Sequence, residues 1–405
     1  MKLCLAAGFF AAAGLVFAPA ATLAQHWTPA FGLSPAQFVL TGEIAKMVPK
    51  AALAPVKGTI QFTFAVSVPG KALRVRVSNE LSSEPLEIGA ASIALLQQDG
   101  HNHTAMRPLT FGGGRSVTIA GGAPLVSDPI PLAVTPASRL IVRLYLPGGV
   151  SFNPLGDAGM SVAPGDQTII SAMTDARPLR GRPLVSGVEV DTQASVAVVV
   201  AFGDSITDGT VAKPEGLHSW PEVVAVRLQA LPARQRKAVV NAGIGGNRVV
   251  SDGWGPAAIS RLDRDVLRLA GVSDLVVLEG INDIGMSGLT PFGSNPAITS
   301  GEIILGYQQI IARAHARGIK VIGCTLMPFK GAGYYTAVKD QIRAEVNRWI
   351  RTSHAFDAVI DMDQVMRDPA DPLILRPAYD SGDHLHPSEA GYRAMGAAVP
   401  LTLFQ

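Results

Sequence analysis

Only two of the 405 residues are cysteine, Cys4 and Cys324, so a disulfide-stapled scaffold is excluded and stability has to come from a packed core. Charged residues make up 16% of the chain, with no dense run of Lys or Arg; at a net charge of +2, nucleic-acid binding has no electrostatic basis. Beyond Ala24 no apolar stretch is long enough to cross a bilayer. What the chain does have is 48% hydrophobic residues, enough at this length to bury a large core and to make two domains.

The opening MKLCLAAGFFAAAGLVFAPAATLA has one Lys, a long Ala-rich apolar stretch and small residues up to Ala24. That is the layout of a secretory leader, residues 1–24, cleaved before Gln25. An uncleaved membrane anchor is the alternative, and Pro19 within the apolar stretch argues against it. Cys4 would leave with the leader, and it does not stand just after the apolar region, where a lipid-modified cysteine is expected. The expectation is an exported protein, periplasmic or extracellular, with Cys324 as its one thiol and no stable membrane insertion.

Residues 25–194 read as a β-rich domain. A mostly irregular lead-in to about Gly58 precedes short strand-like runs at Ile60–Phe64, Leu73–Val77, Ile93–Leu96, Val117–Ile119 and Arg139–Leu146. Apolar residues alternate with Arg74 and Arg76, as in a half-buried strand, and Gly-rich turns separate the runs, which predicts an antiparallel sandwich. His101 and His103 have metal-like spacing but no third ligand close by, and read as an exposed loop. Residues 195–405 alternate strand and helix, the pattern of a parallel sheet in an α/β fold. Strands are expected at Val196–Phe202, Ala238–Val240, Leu275–Leu278, Lys320–Leu326 and Ala358–Ile360. Helices are expected after Ser219, over 256–270, 301–317, 336–352 and 388–399, the first turning Val223, Val226 and Leu228 to the sheet.

The chemistry gathers where these strands stop. The apolar run Val196–Phe202 ends at Gly203-Asp204-Ser205, presenting a hydroxyl at the carboxyl end of a central strand, where ligands of such sheets sit. A serine needs a base to take its proton, and a carboxylate to fix that base's tautomer. Asp383 and His386, three apart in a tight turn, supply the pair, leaving the other imidazole nitrogen for Ser205. His384, in the same turn, reads as a surface residue. Asp383, His384 and His386 as metal ligands form a competing reading, opposed by the other strand ends, which offer hydrogen-bond donors and no further His or Cys. Those donors are the Gly246 backbone N–H and the Asn282 side-chain amide, after the second and third strands, placed to face an oxyanion. Asp204, Arg248 and Trp220, with Trp254, are candidates for lining the substrate site, and core packing is an equally good reading of the two tryptophans.

Gly203-Asp204-Ser205-Ile206, Gly246 within NAGIGGNR, Gly280-Ile281-Asn282-Asp283 and Asp383-His384-Leu385-His386 resemble, in order, the four blocks of the SGNH or GDSL-type hydrolases, from about Ser195 onward. The resemblance implies a flavodoxin-like three-layer α/β/α fold with strand order 2-1-3-4-5. It also implies a triad of Ser205, His386 and Asp383, and an oxyanion hole from the N–H of Ser205, Gly246 and Asn282. The β-rich region resembles, more loosely, the one preceding the catalytic domain in bacterial xylanase-cluster esterases. The implied activity is serine-dependent hydrolysis of short-chain esters, with acetyl or related groups on carbohydrate as substrate and no cofactor or metal. A lipid-directed esterase or lysophospholipase, an acyl transferase, and a non-catalytic carbohydrate-binding protein are the other readings, and the oligomeric state is not legible. The Gly-x-Ser-x-Gly elbow of the general α/β-hydrolases is absent around Ser205.

Overall fold

A computed structural model describes residues 25–36, 54–152, 159–192, 194–210, 219–289 and 297–405. The expected leader with Cys4, much of the lead-in, and the loop of Pro291 and Pro296 lie outside the described residues.

Among the described residues the amino-terminal half forms two large antiparallel sheets and a two-stranded one, Leu86–Ile88 with Val117–Ile119. One large sheet has four strands in the order Trp27–Gly32, Val185–Asp191, Leu73–Ser78, Pro124–Val126. The other has six, in the order Arg177–Leu179, Met160–Ala163, Val56–Ala65, Arg139–Val150, Ala90–Leu95, Arg107–Pro108. Phe31 of the first sheet stacks on Phe64 of the second at 4.4 Å between ring centroids, and one continuous core joins them. This is a sandwich, as the alternation at Leu73–Val77 predicts. The lead-in is not wholly irregular: Trp27–Gly32 is an edge strand paired with Val185–Asp191. Its proline, Pro29, and the register shift between Pro29 and Phe31 are features edge strands tolerate, and they mask the period in the sequence.

The carboxyl-terminal half is built on a parallel sheet of β1 (Val198–Gly203), β2 (Ala238–Gly243), β3 (Val272–Leu278), β4 (Lys320–Cys324) and β5 (Ala358–Ile360), in the order β2-β1-β3-β4-β5. Every residue of β1 is buried, which is why its sequence is an unbroken apolar run. Helices α1 (Ser205–Asp208), α2 (Trp220–Gln229), α3 (Ala258–Leu262), α4 (Ile281–Met286), α5 (Ser300–His315), α6 (Ala337–Thr352), α7 (Met362–Met366) and α8 (Glu389–Ala398) complete it. α2 packs on α8 and α5 on α6. Caps fix the starts: Thr299 makes a reciprocal capping box with Glu302 before α5, and Thr336 and Ser388 accept backbone N–H bonds ahead of α6 and α8. α3 runs on into a π-helical turn, Asp263–Leu267, so the expected helix over 256–270 is shorter and of two kinds. On α2, Val226 faces solvent; the buried face is Trp220, Val223, Val224, Ala225 and Leu228.

The two halves meet along β2, the edge of the parallel sheet. Strand Trp27–Gly32 lies against it so closely that a Cβ on Gly32 would fall 2.3 Å from Val240. The Ser67 hydroxyl donates to Ala30 O and accepts the N–H of Val239, covering a backbone group an open edge would leave bare.

Candidate active site

The nucleophile's turn is shaped by what cannot be there. A Cβ on Gly203 would lie 2.2 Å from Leu278 O and 2.3 Å from the Thr207 hydroxyl, so only glycine lets the chain leave β1 at that angle. Asp204 then caps α1, its carboxylate accepting the Ile206 N–H at 2.9 Å, and Gly209 ends the single turn at φ 99°. Ser205 is held at the first helical position, 5% exposed.

From the far end of the chain comes a hairpin-like loop closed by Ser388 N–H to Tyr379 O and Ser381 N–H to His386 O. Within it Asp383 Oδ1 accepts the N–H groups of Leu385 and His386, while Oδ2 lies 2.6 Å from His386 Nδ1. An ionised carboxylate only accepts, so Nδ1 carries the proton and Nε2 presents its lone pair. Nε2 lies 2.8 Å from Ser205 Oγ. Burial penalises the Asp383 charge, but the bonds from His386 outweigh it and hold the carboxyl well below its ordinary value.

Gly246 and Asn282 arrive beside each other. Gly246 takes φ 70°, with Trp254 packed where its Cβ would be, and Asn282, buried on α4, donates one amide hydrogen to Asn247 O at 3.1 Å. Asp283 accepts the N–H groups of Val249 and Val250, tying α4 to the Gly246 loop; burial pushes it up to about 6. Among the described residues no protein group accepts the Gly246 N–H.

The three candidates for substrate contact are placed differently. Trp220 is 1% exposed, its indole N–H directed to the Thr207 hydroxyl, so it packs the core behind the nucleophile. Arg248 is buried, donating to Asp252 O, and Asp204 is spent on the cap of α1. Both polar candidates thus turn inward to hold backbone. His103, expected in an exposed loop, has both ring nitrogens against backbone carbonyls, of Thr104 and Ser171.

Sequence reasoning missed the group at the centre of this framework. Arg261, fully buried on α3, donates to Gly203 O at 2.9 Å, Ala242 O at 2.7 Å and Asn247 Oδ1 at 2.8 Å, and lies 4.0 Å over the Phe202 ring. It joins the ends of β1 and β2 to the Gly246 loop. An Arg beside Leu262, with Asp265 four residues on, is the one local sign of a charge turned inward. Around it burial pushes Asp204 up to about 7 and Glu279 well above its ordinary value, although Glu279 Oε2 lies 3.6 Å from the Arg261 guanidinium.

The GDSL-like Lipase/Acylhydrolase family matches residues 201–394. Solved structures similar to this chain include a GDSL-like lipase from Bacteroides thetaiotaomicron, 21% identical, covering 50% of this chain and 84% of that one, with a TM-score of 0.38. An α/β hydrolase from the metagenome of Lake Arreo is 21% identical over 51% of this chain and 94% of its own, TM-score 0.40. A catalytic mutant of an acetylxylan esterase from Geobacillus stearothermophilus is 22% identical over 51% and 94%, TM-score 0.39. No curated protein matches the chain.

Proposed function

We propose, from the match of residues 201–394 to the GDSL-like Lipase/Acylhydrolase family, that this chain is an exported serine esterase acting on short-chain esters of carbohydrates. The single observation that carries the catalytic part is the relay Asp383, His386, Ser205: a 2.6 Å contact within the loop and a 2.8 Å contact from His386 to Ser205, 181 residues away in the chain. In the proposed reaction Ser205 Oγ attacks the acyl carbon as its proton passes to His386 Nε2. The oxyanion faces the N–H groups of Ser205 and Gly246 and the free amide hydrogen of Asn282. Collapse expels the alcohol, which takes the proton from Nε2; water then attacks the acyl-enzyme as it gives a proton to His386, and collapse breaks the bond to Ser205 Oγ, which takes that proton back as the acid is released. The charge on Asp383 stabilises the imidazolium formed at each stage.

Export rests on the leader-like residues 1–24, and the division at 194/195 on the change of pattern there. The carbohydrate ester rests on the likeness of the β-rich region to that of xylanase-cluster esterases. The test is a panel of acetylated xylo-oligosaccharides, 4-nitrophenyl acetate and long-acyl esters, with Ser205→Ala as the blank. The expected result is hydrolysis of the acetyl esters, lost in Ser205→Ala with folding intact. A long-acyl optimum overturns the carbohydrate assignment, and hydrolysis that survives Ser205→Ala overturns the nucleophile.

A further inference from the structure

Arg182 belongs to the β-rich half, between the strands Arg177–Leu179 and Val185–Asp191, yet its guanidinium is committed elsewhere. It is 7% exposed. Nε donates to Ser34 O at 2.8 Å, one terminal nitrogen lies 2.8 Å from both carboxylate oxygens of Asp208, and the other donates to Gly243 O at 2.6 Å. Asp208 is the last residue of α1, the turn that starts at Ser205. Gly243 is the last residue of β2, three before Gly246. These two segments are in direct contact: a Cβ on Gly243 would fall 2.2 Å from Asp208 N, and Ile244 N–H bonds Gly203 O. One side chain from outside the α/β half thus grips both backbone segments that carry the proposed oxyanion donors Ser205 N–H and Gly246 N–H.

We propose that Arg182 is a positioning residue that sets the spacing of the oxyanion donors, making the β-rich half part of the catalytic framework and not a separate binding module. The proposal rests on the esterase reading for its kinetic consequences. Its structural consequence, the ordering of residues 204–210 and 243–247, stands without it. A planar guanidinium is suited to the task because its fixed fork holds several acceptors in one plane, which a lysine ammonium does not do.

The experiment compares wild type, Arg182→Met, Arg182→Lys, Asp208→Asn and Arg268→Met in the full chain. Arg268→Met is the control, because Arg268 also bridges the halves, to Glu80 at 3.0 Å, but touches neither segment. Readouts are kcat and KM on 4-nitrophenyl acetate, the rate at which diethyl 4-nitrophenyl phosphate phosphorylates Ser205 with loss of nitrophenolate, and amide hydrogen exchange. Expected for Arg182→Met is a drop of about 10- to 100-fold in kcat and in phosphorylation rate together, KM moving less than about threefold. Exchange should quicken in both segments, with partial recovery in Arg182→Lys, a smaller loss in Asp208→Asn and none in Arg268→Met. If Arg182→Met does not fold, Asp208→Asn gives the same readings from the other side of the pair. Unchanged kcat per folded molecule together with unchanged exchange overturns the proposal, as does an equal effect in Arg268→Met. Wild type that neither hydrolyses the ester nor labels at Ser205 instead overturns the esterase reading, and the exchange data then decide the role of Arg182 alone.

Discussion

One loop carries two carboxylate–imidazole pairs, and they are almost the same locally. Asp383 with His386 and Asp380 with His384 each place a carboxylate oxygen 2.6 Å from Nδ1, and each carboxylate also accepts two backbone N–H groups of the loop. What separates them lies outside the loop. The His386 side chain is 15% exposed and its Nε2 meets Ser205, whereas that of His384 is 53% exposed and borders a cleft of about 450 Å³ with Lys330 and Pro377. A histidine oriented by an aspartate is therefore cheap to build from a few residues of turn. The contact that makes it a base has to be delivered by the rest of the fold.

The comparison breaks most severely at the imidazoles. His386→Ala should lower kcat/KM on 4-nitrophenyl acetate by about 10⁴-fold or more, because the nucleophile loses its proton acceptor. His384→Ala should stay within about threefold, since the imidazole it removes is largely solvated. Comparable losses in the two variants would mean that the exposed pair also handles the proton.

The carboxylates come next. Asp383→Asn should cost about 10³- to 10⁴-fold in kcat, because an amide neither fixes the Nδ1–H tautomer nor stabilises the imidazolium. Asp380→Asn removes the same local hydrogen-bond pattern and should cost less than about tenfold, through loosening of the loop. Steady-state kinetics on both variants, set against their melting temperatures, separates chemistry from folding. Equal kcat values would reduce Asp383 to a loop-fastening residue.

How much of this was legible beforehand follows the same divide between local and long-range. The strands follow from apolar runs alternating with helical stretches, their order β2-β1-β3-β4-β5 from the resemblance to the SGNH or GDSL-type hydrolases, and Ser205, Asp383 and His386 from short motifs at strand ends. Strand Trp27–Gly32 was hidden, because its partner is more than 150 residues away and its own period is broken at Pro29. The sequence left Trp220 open between core and substrate site for a related reason: proximity to a strand end is visible in sequence, but the direction of a side chain there is not, and the burial of Arg248 was hidden in the same way. Arg182 and Arg261 act by reaching backbone carbonyls of distant segments, and a carbonyl leaves no trace in the identity of its residue.

The pH dependence of stability sharpens the contrast between Asp383 and the buried Asp204. Asp383, held below its ordinary value, contributes stability that is full above the unfolded carboxylate range and is lost as pH falls from that range down through its own lower value. Asp204 has the opposite sign. Burial raises it to about 7, so the folded chain holds that proton more tightly than the unfolded one, and stability declines as pH climbs from about 4 towards 7. Asp204→Asn keeps an acceptor for the Ile206 N–H but does not titrate. Melting temperatures between pH 4 and 7 should therefore fall less steeply in the variant than in wild type. Parallel curves would place the decline with other groups, Asp283 first among them.

The smallest expected effect isolates the exposed pair. Gly331 takes φ 105°, and a Cβ there would lie 2.8 Å from the His384 ring, so Gly331→Ala strains its own backbone and displaces that imidazole without touching His386. The cost in stability should be about 1–2 kcal/mol by denaturant titration, with kcat on 4-nitrophenyl acetate changed less than about twofold. If kcat falls with stability intact, the two pairs are mechanically coupled through the shared turn, and the identity of residue 384 then matters to catalysis through backbone geometry. If kcat holds, the loop is stiff enough that Asp383 and His386 keep their places while the adjacent pair is disturbed. That stiffness is expected from the cross-loop bonds at Tyr379 O and His386 O, which close the turn independently of either imidazole.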